Sequence, residues 1–197
     1  MKRLNERQER ILLSLKKLDY LNRDQINKIH RLGTIRNTNR ILKQLSPYLS
    51  SYREDYSTIY YLNNKGREYV NSEKIRKKTK FVNHVLMRND FYIYAGFPRE
   101  WKNEVELSLG EIKIICDAWF RVNGKYYALE VDLDQTMKEN RNKIEKYRKL
   151  LSNNAIKESL GHLPTLIWFT TTEFRKKKLI DLCKGLPHAV YTTNDIK

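Results

Sequence analysis

The chain has 197 residues, 40% of them hydrophobic and 31% charged. That composition suits one large or two small soluble domains with modest cores and excludes a disordered chain. No stretch approaches the ~18 apolar residues that span a bilayer, and MKRLNERQER carries no signal-peptide apolar run. The two cysteines, Cys116 and Cys183, lie far apart without metal-ligand spacing. The expected setting is therefore cytoplasmic, with reduced thiols and no membrane partner. The net charge of +16 points to a polyanionic partner. Residues 1–80 hold 20 Lys/Arg against 8 Asp/Glu, whereas residues 81–197 hold 19 against 15, so the basic excess is concentrated in the first part.

Taken in chain order, Leu4, Ile11, Leu12, Leu15 and Leu18 recur at helical spacing. In NRDQINKIHRLG, Asn22 reads as an N-cap, Ile26, Ile29 and Leu32 share a face, and Gly33 ends the helix. A third helix opens at Thr34, shows Ile35, Ile41, Leu42 and Leu45, and stops before Pro47. STIYYLNNKGREYV then takes strand character, with Ile59, Tyr60, Tyr61 and Leu62 closed by Asn63-Asn64 and Gly66. Three short helices followed by a hairpin is the order of a winged helix-turn-helix. The third helix is short enough to enter a major groove about 12 Å wide. Its exposed face is expected to carry Arg36, Asn37, Thr38, Asn39, Arg40 and Lys43, and the wing around Ser51–Thr58 carries Arg53. These side chains suit phosphates and base edges, so double-stranded DNA is the expected partner. The competing reading is a helical protein-docking module with solvated charges.

NSEKIRKKTK, with few apolar residues, reads as a linker. The expected domains are therefore residues 1–72, a basic linker 73–80, and a second domain 81–197. Residues 79–95 return to helical spacing through Phe81, Val82, Val85, Leu86 and Phe91. Three strands follow: EVELSL, KIICDAWFRV and KYYALEVDL, the last two joined by the Asn123-Gly124 hairpin signal. A helix over 136–151 buries Ile144, Tyr147, Leu150 and Leu151; TLIWFTTT is a buried strand; a basic helix spans 173–184, and HAVYTT is the last strand. The fold class is α/β (α+β), with a central mixed sheet in the second domain.

Chemistry concentrates on Asp117, Glu130 and Asp132. Glu130 and Asp132, two apart on a strand, point to one face. Asp117 lies across the ladder and reaches the same place if the register allows. Such carboxylates amid apolar neighbours are costly unless paired or coordinated. Mg²⁺ or Mn²⁺ would relieve their repulsion and could activate water against a phosphodiester. Alternatively they face solvent or pair with Lys113, Lys125 or Lys143. The four histidines are dispersed, and no Gly-rich NTPase loop is present. The run Arg175–Lys178 reads as a solvated face or a phosphate contact.

The order helix–strand–strand(Asp)–strand(Glu)–helix–strand resembles the core of PD-(D/E)xK nucleases, the restriction-endonuclease-like fold. Cys116 stands where proline is usual, and Asp132 where lysine is usual. More closely, NRDQINKIHRLG, NRILKQL, IYYLNNKGREYV, CDAWF, LEVDLDQT and NKIEKY together resemble the plasmid replication-relaxation family of bacterial mobile elements. The resemblance implies a role in plasmid replication and in relaxing, or nicking, plasmid DNA at an origin-like site. By that resemblance Asp117 and Glu130 would be metal ligands and Asp132 a third acid. Lys143, matching a K-x-x-x-Y pattern with Tyr147, would supply the missing lysine's charge from the following helix. An inactive nuclease fold that only binds DNA, as a transcriptional or replication regulator, is the alternative. Winged-helix proteins are often homodimers, but no heptad marks an interface.

Overall fold

Helix starts in the first half of the chain are set by side-chain caps. Asn5 and Asn22 each accept a backbone N–H three residues on, while Gln8 and Gln25 reach back to complete capping boxes. Thr34 and Asn63 cap in the same way without the reciprocal bond. The computed structural model describes residues 4–196. It contains α1 (Glu6–Leu18), β1 (Leu21–Asn22), α2 (Arg23–His30), α3 (Ile35–Leu45), a 3₁₀ turn (Ser46–Tyr48), β2 (Leu49–Glu54), β3 (Ser57–Leu62) and α4 (Asn64–Tyr69). It continues with α5 (Val82–Tyr94), β4 (Trp101–Leu109), β5 (Ile112–Val122), β6 (Lys125–Asp132), α6 (Met137–Leu151), α7 (Asn154–Leu160), β7 (Thr165–Thr170), α8 (Glu173–Leu182) and β8 (His188–Thr192). None of the described helices is long and apolar enough to cross a membrane.

The chain divides into two units, the first ending at Ile93 and the second beginning at Tyr94. The sequence reading had placed residues 73–80 as a linker and the following helix in the second domain. The structure instead ties both to the first unit. Arg76 forms an ion pair with the buried Asp19, and Tyr20 donates to the Lys77 carbonyl. On α5, Arg88 donates to Leu18 O and pairs with Asp19, while Asn89 donates to Leu18 O and Tyr20 O. These two side chains are buried and bond carbonyls at and just beyond the C-terminus of α1. Gln25, also buried, donates to Leu86 O and Asp90. Polar residues inside a predicted amphipathic helix gave no sign of which unit they would bind.

In the first unit, α1, α2 and α3 bury Ile11, Leu12, Leu15, Leu18, Ile26, Ile41, Leu42 and Leu45. The antiparallel sheet has the order β1-β3-β2. The β2–β3 hairpin turns through Asp55 (φ 48°) and Tyr56, which is 97% exposed at the tip. β3 closes at Asn63-Asn64 as expected, and the run that follows turns into α4, a helix the sequence reading did not include. Gly66 permits this, because a Cβ there would lie 2.1 Å from the Tyr48 carbonyl oxygen.

The second unit is built on a five-stranded sheet of order β4-β5-β6-β7-β8. β4, β5 and β6 run antiparallel, whereas β6, β7 and β8 are parallel. The two parallel steps are made by crossovers through α6 and α8. Asn123 (φ 49°) and Gly124 (φ 79°) form the turn between β5 and β6, both in the positive-φ region that a two-residue hairpin favours. Ile144, Tyr147, Leu150 and Leu151 of α6 pack with Ile114, Cys116, Ala128, Leu166 and Trp168 of the sheet. The last five residues of β6 are all buried, as expected for a central strand covered on both faces.

Candidate functional site

The carboxylates lie where β5 and β6 part. The β5–β6 ladder ends at the pair Ala118–Leu129, one step short of Asp117 and Glu130. On the other side of β5, the ladder with β4 passes from Asn103–Ala118 to Val105–Cys116 without pairing Glu104 and Asp117. Glu104 has φ 53°. Cys116 and Trp119 both pack in the cluster that includes α6 although they stand three positions apart, so alternation along β5 breaks at this point. Such bulge-like irregularities re-aim a side chain. Here Asp117 turns toward β6, and its Oδ2 accepts the Val131 N–H at 2.7 Å.

Glu130 and Asp132 both face α6, as their i, i+2 spacing requires. Glu130 is 1% exposed. Its Oε2 receives Lys143 Nζ at 2.5 Å and its Oε1 receives the Tyr147 hydroxyl at 2.6 Å. Burial pushes the Glu130 carboxyl up to about 8; the neighbouring Asp117 adds to the rise, while Lys143 and Tyr147 oppose it. Lys143 is raised in turn: burial lowers it, but the charges of Glu130 and Asp117 outweigh that effect. Burial also lifts the Tyr147 hydroxyl well above its ordinary value and the Cys116 thiol to about 12.

Asp132 is fully buried and held by four hydrogen bonds from three side chains. Its Oδ1 accepts Asn140 Nδ2 at 2.7 Å and Arg175 Nη2 at 2.5 Å. Its Oδ2 accepts Thr170 Oγ1 and Arg175 Nε, each at 2.7 Å. Arg175 also donates to Gln135 O. This two-pronged pairing is the strong form of a carboxylate–guanidinium contact. It joins the ends of β6 and β7 to the first turns of α6 and α8.

Asp117, Glu130 and Lys143 are therefore brought together as the sequence reading expected, and Asp132 is adjacent but engaged elsewhere. Among the described residues, no group of three or more His, Cys, Asp or Glu is placed to hold a metal ion. The oxygens a divalent cation would need on Glu130 and Asp132 already receive Lys143, Tyr147, Asn140, Thr170 and Arg175. The donor set as arranged does not fit Mg²⁺ or Mn²⁺. Of the lysines considered as partners, Lys113 pairs with Glu106 instead. Arg175, read from sequence as one of an exposed basic run, turns inward; Lys176 pairs with Asp195, and Lys178 lies over the Phe174 ring. Asn140 was missed, although Asn140, Lys143 and Tyr147 at i, i+3 and i+7 mark one face of α6 toward the acids.

The expected DNA-facing residues occupy α3 and the hairpin. Arg36, Asn39, Arg40 and Lys43 are exposed and form a stripe at i, i+3, i+4 and i+7. Thr38, expected on that face, is fully buried, with its hydroxyl donating to Thr34 O. Asn37 is half-buried, donates to Leu32 O and accepts from Arg40. The five consecutive polar residues 36–40 cannot share one helical face, and periodicity assigns these two inward. Arg53 is exposed on β2 opposite Thr58. A cleft between the hairpin and the helices is lined by Arg23, Asn39, Arg53, Tyr56 and Thr58.

No curated protein and no solved structure matches the chain. Residues 12–166 match the replication-relaxation family. The match runs from α1 into β7, so it spans α3 and the hairpin as well as Asp117, Glu130, Asp132, Lys143 and Tyr147, and ends before Arg175. On this match the chain belongs to the replication-relaxation family.

Proposed function

We propose that this replication-relaxation protein acts in plasmid replication by binding duplex DNA through its first unit. The unit is read as a winged helix-turn-helix, with α3 in the major groove and the β2–β3 hairpin on the neighbouring backbone. The observation that carries the reading is the stripe of Arg36, Asn39, Arg40 and Lys43 on α3, opposite a face buried through Thr38, Ile41, Leu42 and Leu45. A short helix anchored on one side and cationic and amide-bearing on the other suits phosphates and base edges. Its origin in the more basic part of the chain agrees with a polyanionic partner. Arg36→Ala with Arg40→Ala should weaken binding and flatten its salt dependence; unchanged binding would remove α3 from the interface.

The second unit is read as a restriction-endonuclease-like fold in which Lys143 and Tyr147 engage Glu130 and Arg175 engages Asp132, so it serves DNA binding as a non-catalytic scaffold. Metal-dependent nicking is the second reading. It is favoured by one observation, the convergence of Asp117, Glu130 and Lys143 where β5 and β6 part. It requires an ion to take the place of Lys143 on Glu130. Conversion of supercoiled plasmid to open circles with Mg²⁺ or Mn²⁺, lost in Glu130→Ala, would establish nicking. Binding without conversion would retain the scaffold reading.

A further inference from the structure

A groove of about 560 Å³ opens on one flank of α3, between the start of α1, the 3₁₀ turn and the start of α4. Its cationic lining consists of Arg7 from α1, Arg40 from α3 and Lys65 from α4. All three are exposed. Among the described residues, no carboxylate lines the groove or pairs with any of them. Nearby acids are committed elsewhere: Glu6 pairs with Arg10, and Glu9 accepts the Tyr69 hydroxyl.

The three cations are held together by the fold. Gln8 donates to Gln44 at 3.1 Å, fixing the start of α1 against α3. Asn63 donates to Pro47 O, and Gly66 permits close approach to Tyr48 O, which fixes α4 against the 3₁₀ turn. Three like charges on three separate elements around one concave surface repel each other, and an anion seated between them relieves that repulsion. Arg40 belongs both to this groove and to the exposed stripe of α3. The cleft on the other flank contains Asp24, which pairs with Arg23, and so offers a weaker field.

We infer that the groove of Arg7, Arg40 and Lys65 seats the sugar–phosphate backbone of one DNA strand beside α3. The inference rests on the proposed docking of α3 in the major groove, which brings a phosphate backbone along each flank of the helix. Arg7 and Lys65 then contribute affinity that is independent of base sequence, unlike Asn39 on the stripe.

The test uses the full chain and a duplex of random sequence, with the dissociation constant measured across a salt series. Each lost phosphate contact makes the negative slope of log K against log salt shallower by about 0.9, so Arg7→Ala with Lys65→Ala should make it shallower by about 1.8. Both side chains are exposed, so thermal melting of the variant should match wild type. The pair Arg7→Lys and Lys65→Arg, which keeps both charges, should retain the wild-type slope. If wild type binds and Arg36→Ala with Arg40→Ala weakens binding, but Arg7→Ala with Lys65→Ala leaves the slope unchanged, the groove is refuted and the α3 reading survives. If wild type binds no duplex at any salt, both fail.

Discussion

Replacing Asp132 with alanine separates a structural clamp from a metal ligand. The substitution deletes the acceptor of four hydrogen bonds and leaves Asn140 and Thr170, both buried, without that partner. Breaking a buried ion pair by removing one member costs about 3–5 kcal/mol. The Arg175 side chain is 24% exposed and can turn partly to water, which favours the lower end of that range. The neutral donors Asn140 and Thr170 cannot, and each stranded group costs about 1–3 kcal/mol, not additively. A loss of about 3 kcal/mol is a large share of the 5–15 kcal/mol that holds a typical domain together. The three tryptophans, Trp101, Trp119 and Trp168, all lie in the second unit, so their fluorescence during urea unfolding reports that unit. With a denaturant slope of about 1.5 kcal/mol per molar urea, the midpoint should fall by about 2 M. The measurement is made with a metal chelator present. An unchanged midpoint there, together with a Mg²⁺-induced stabilisation of wild type that Asp132→Ala lacks, would refute the clamp and restore Asp132 as a ligand.

Glu130 gives a pH signature. Its folded value of about 8 lies above its ordinary 4.5. The stability associated with its bound proton is therefore fully present below about 4.5 and is lost as pH rises to about 8. Relative to wild type, Glu130→Gln should gain stability progressively across that window by the same fluorescence assay; a constant offset would mean that Glu130 is ionised in the fold. Gly66→Ala should destabilise the first unit by about 1–3 kcal/mol in circular-dichroism melting, because a clash with backbone outweighs alanine's helix preference. Equal or greater stability would mean that α4 shifts freely. A fragment of residues 1–93 should unfold cooperatively, whereas residues 1–72 should not, since Arg88, Asn89 and Gln25 hold α5 to the first unit. A cooperative 1–72 fragment would contradict that assignment.

The elements that carry strong local signals were legible in the sequence. Asn22 and Thr34 start helices where their capping chemistry indicated, and Asn123-Gly124 makes the hairpin. The i, i+2 spacing put Glu130 and Asp132 on one face, and the K-x-x-x-Y spacing brought Lys143 and Tyr147 to Glu130. What escaped depended on distant partners. Asp132 required Arg175, 43 residues away, and nothing in a run of basic residues shows which one turns inward. The attachment of α5 depended on carbonyls at the end of α1, which the sequence of α5 does not reveal. Thr38 was assigned outward because it is polar, yet its short hydroxyl is satisfied by Thr34 O and can be buried. The two-residue β1 and the short α7 have too few residues for a periodicity to register.

The most direct test of the central claim is a salt series of duplex-DNA binding by wild type and by the pair Arg36→Ala with Arg40→Ala. Wild type should bind with a steep salt dependence, and the variant should bind more weakly with a slope shallower by about 1.8, one step of about 0.9 for each lost phosphate contact. Equal affinity and equal slope in the two proteins would contradict the assignment of α3 as the DNA-reading element.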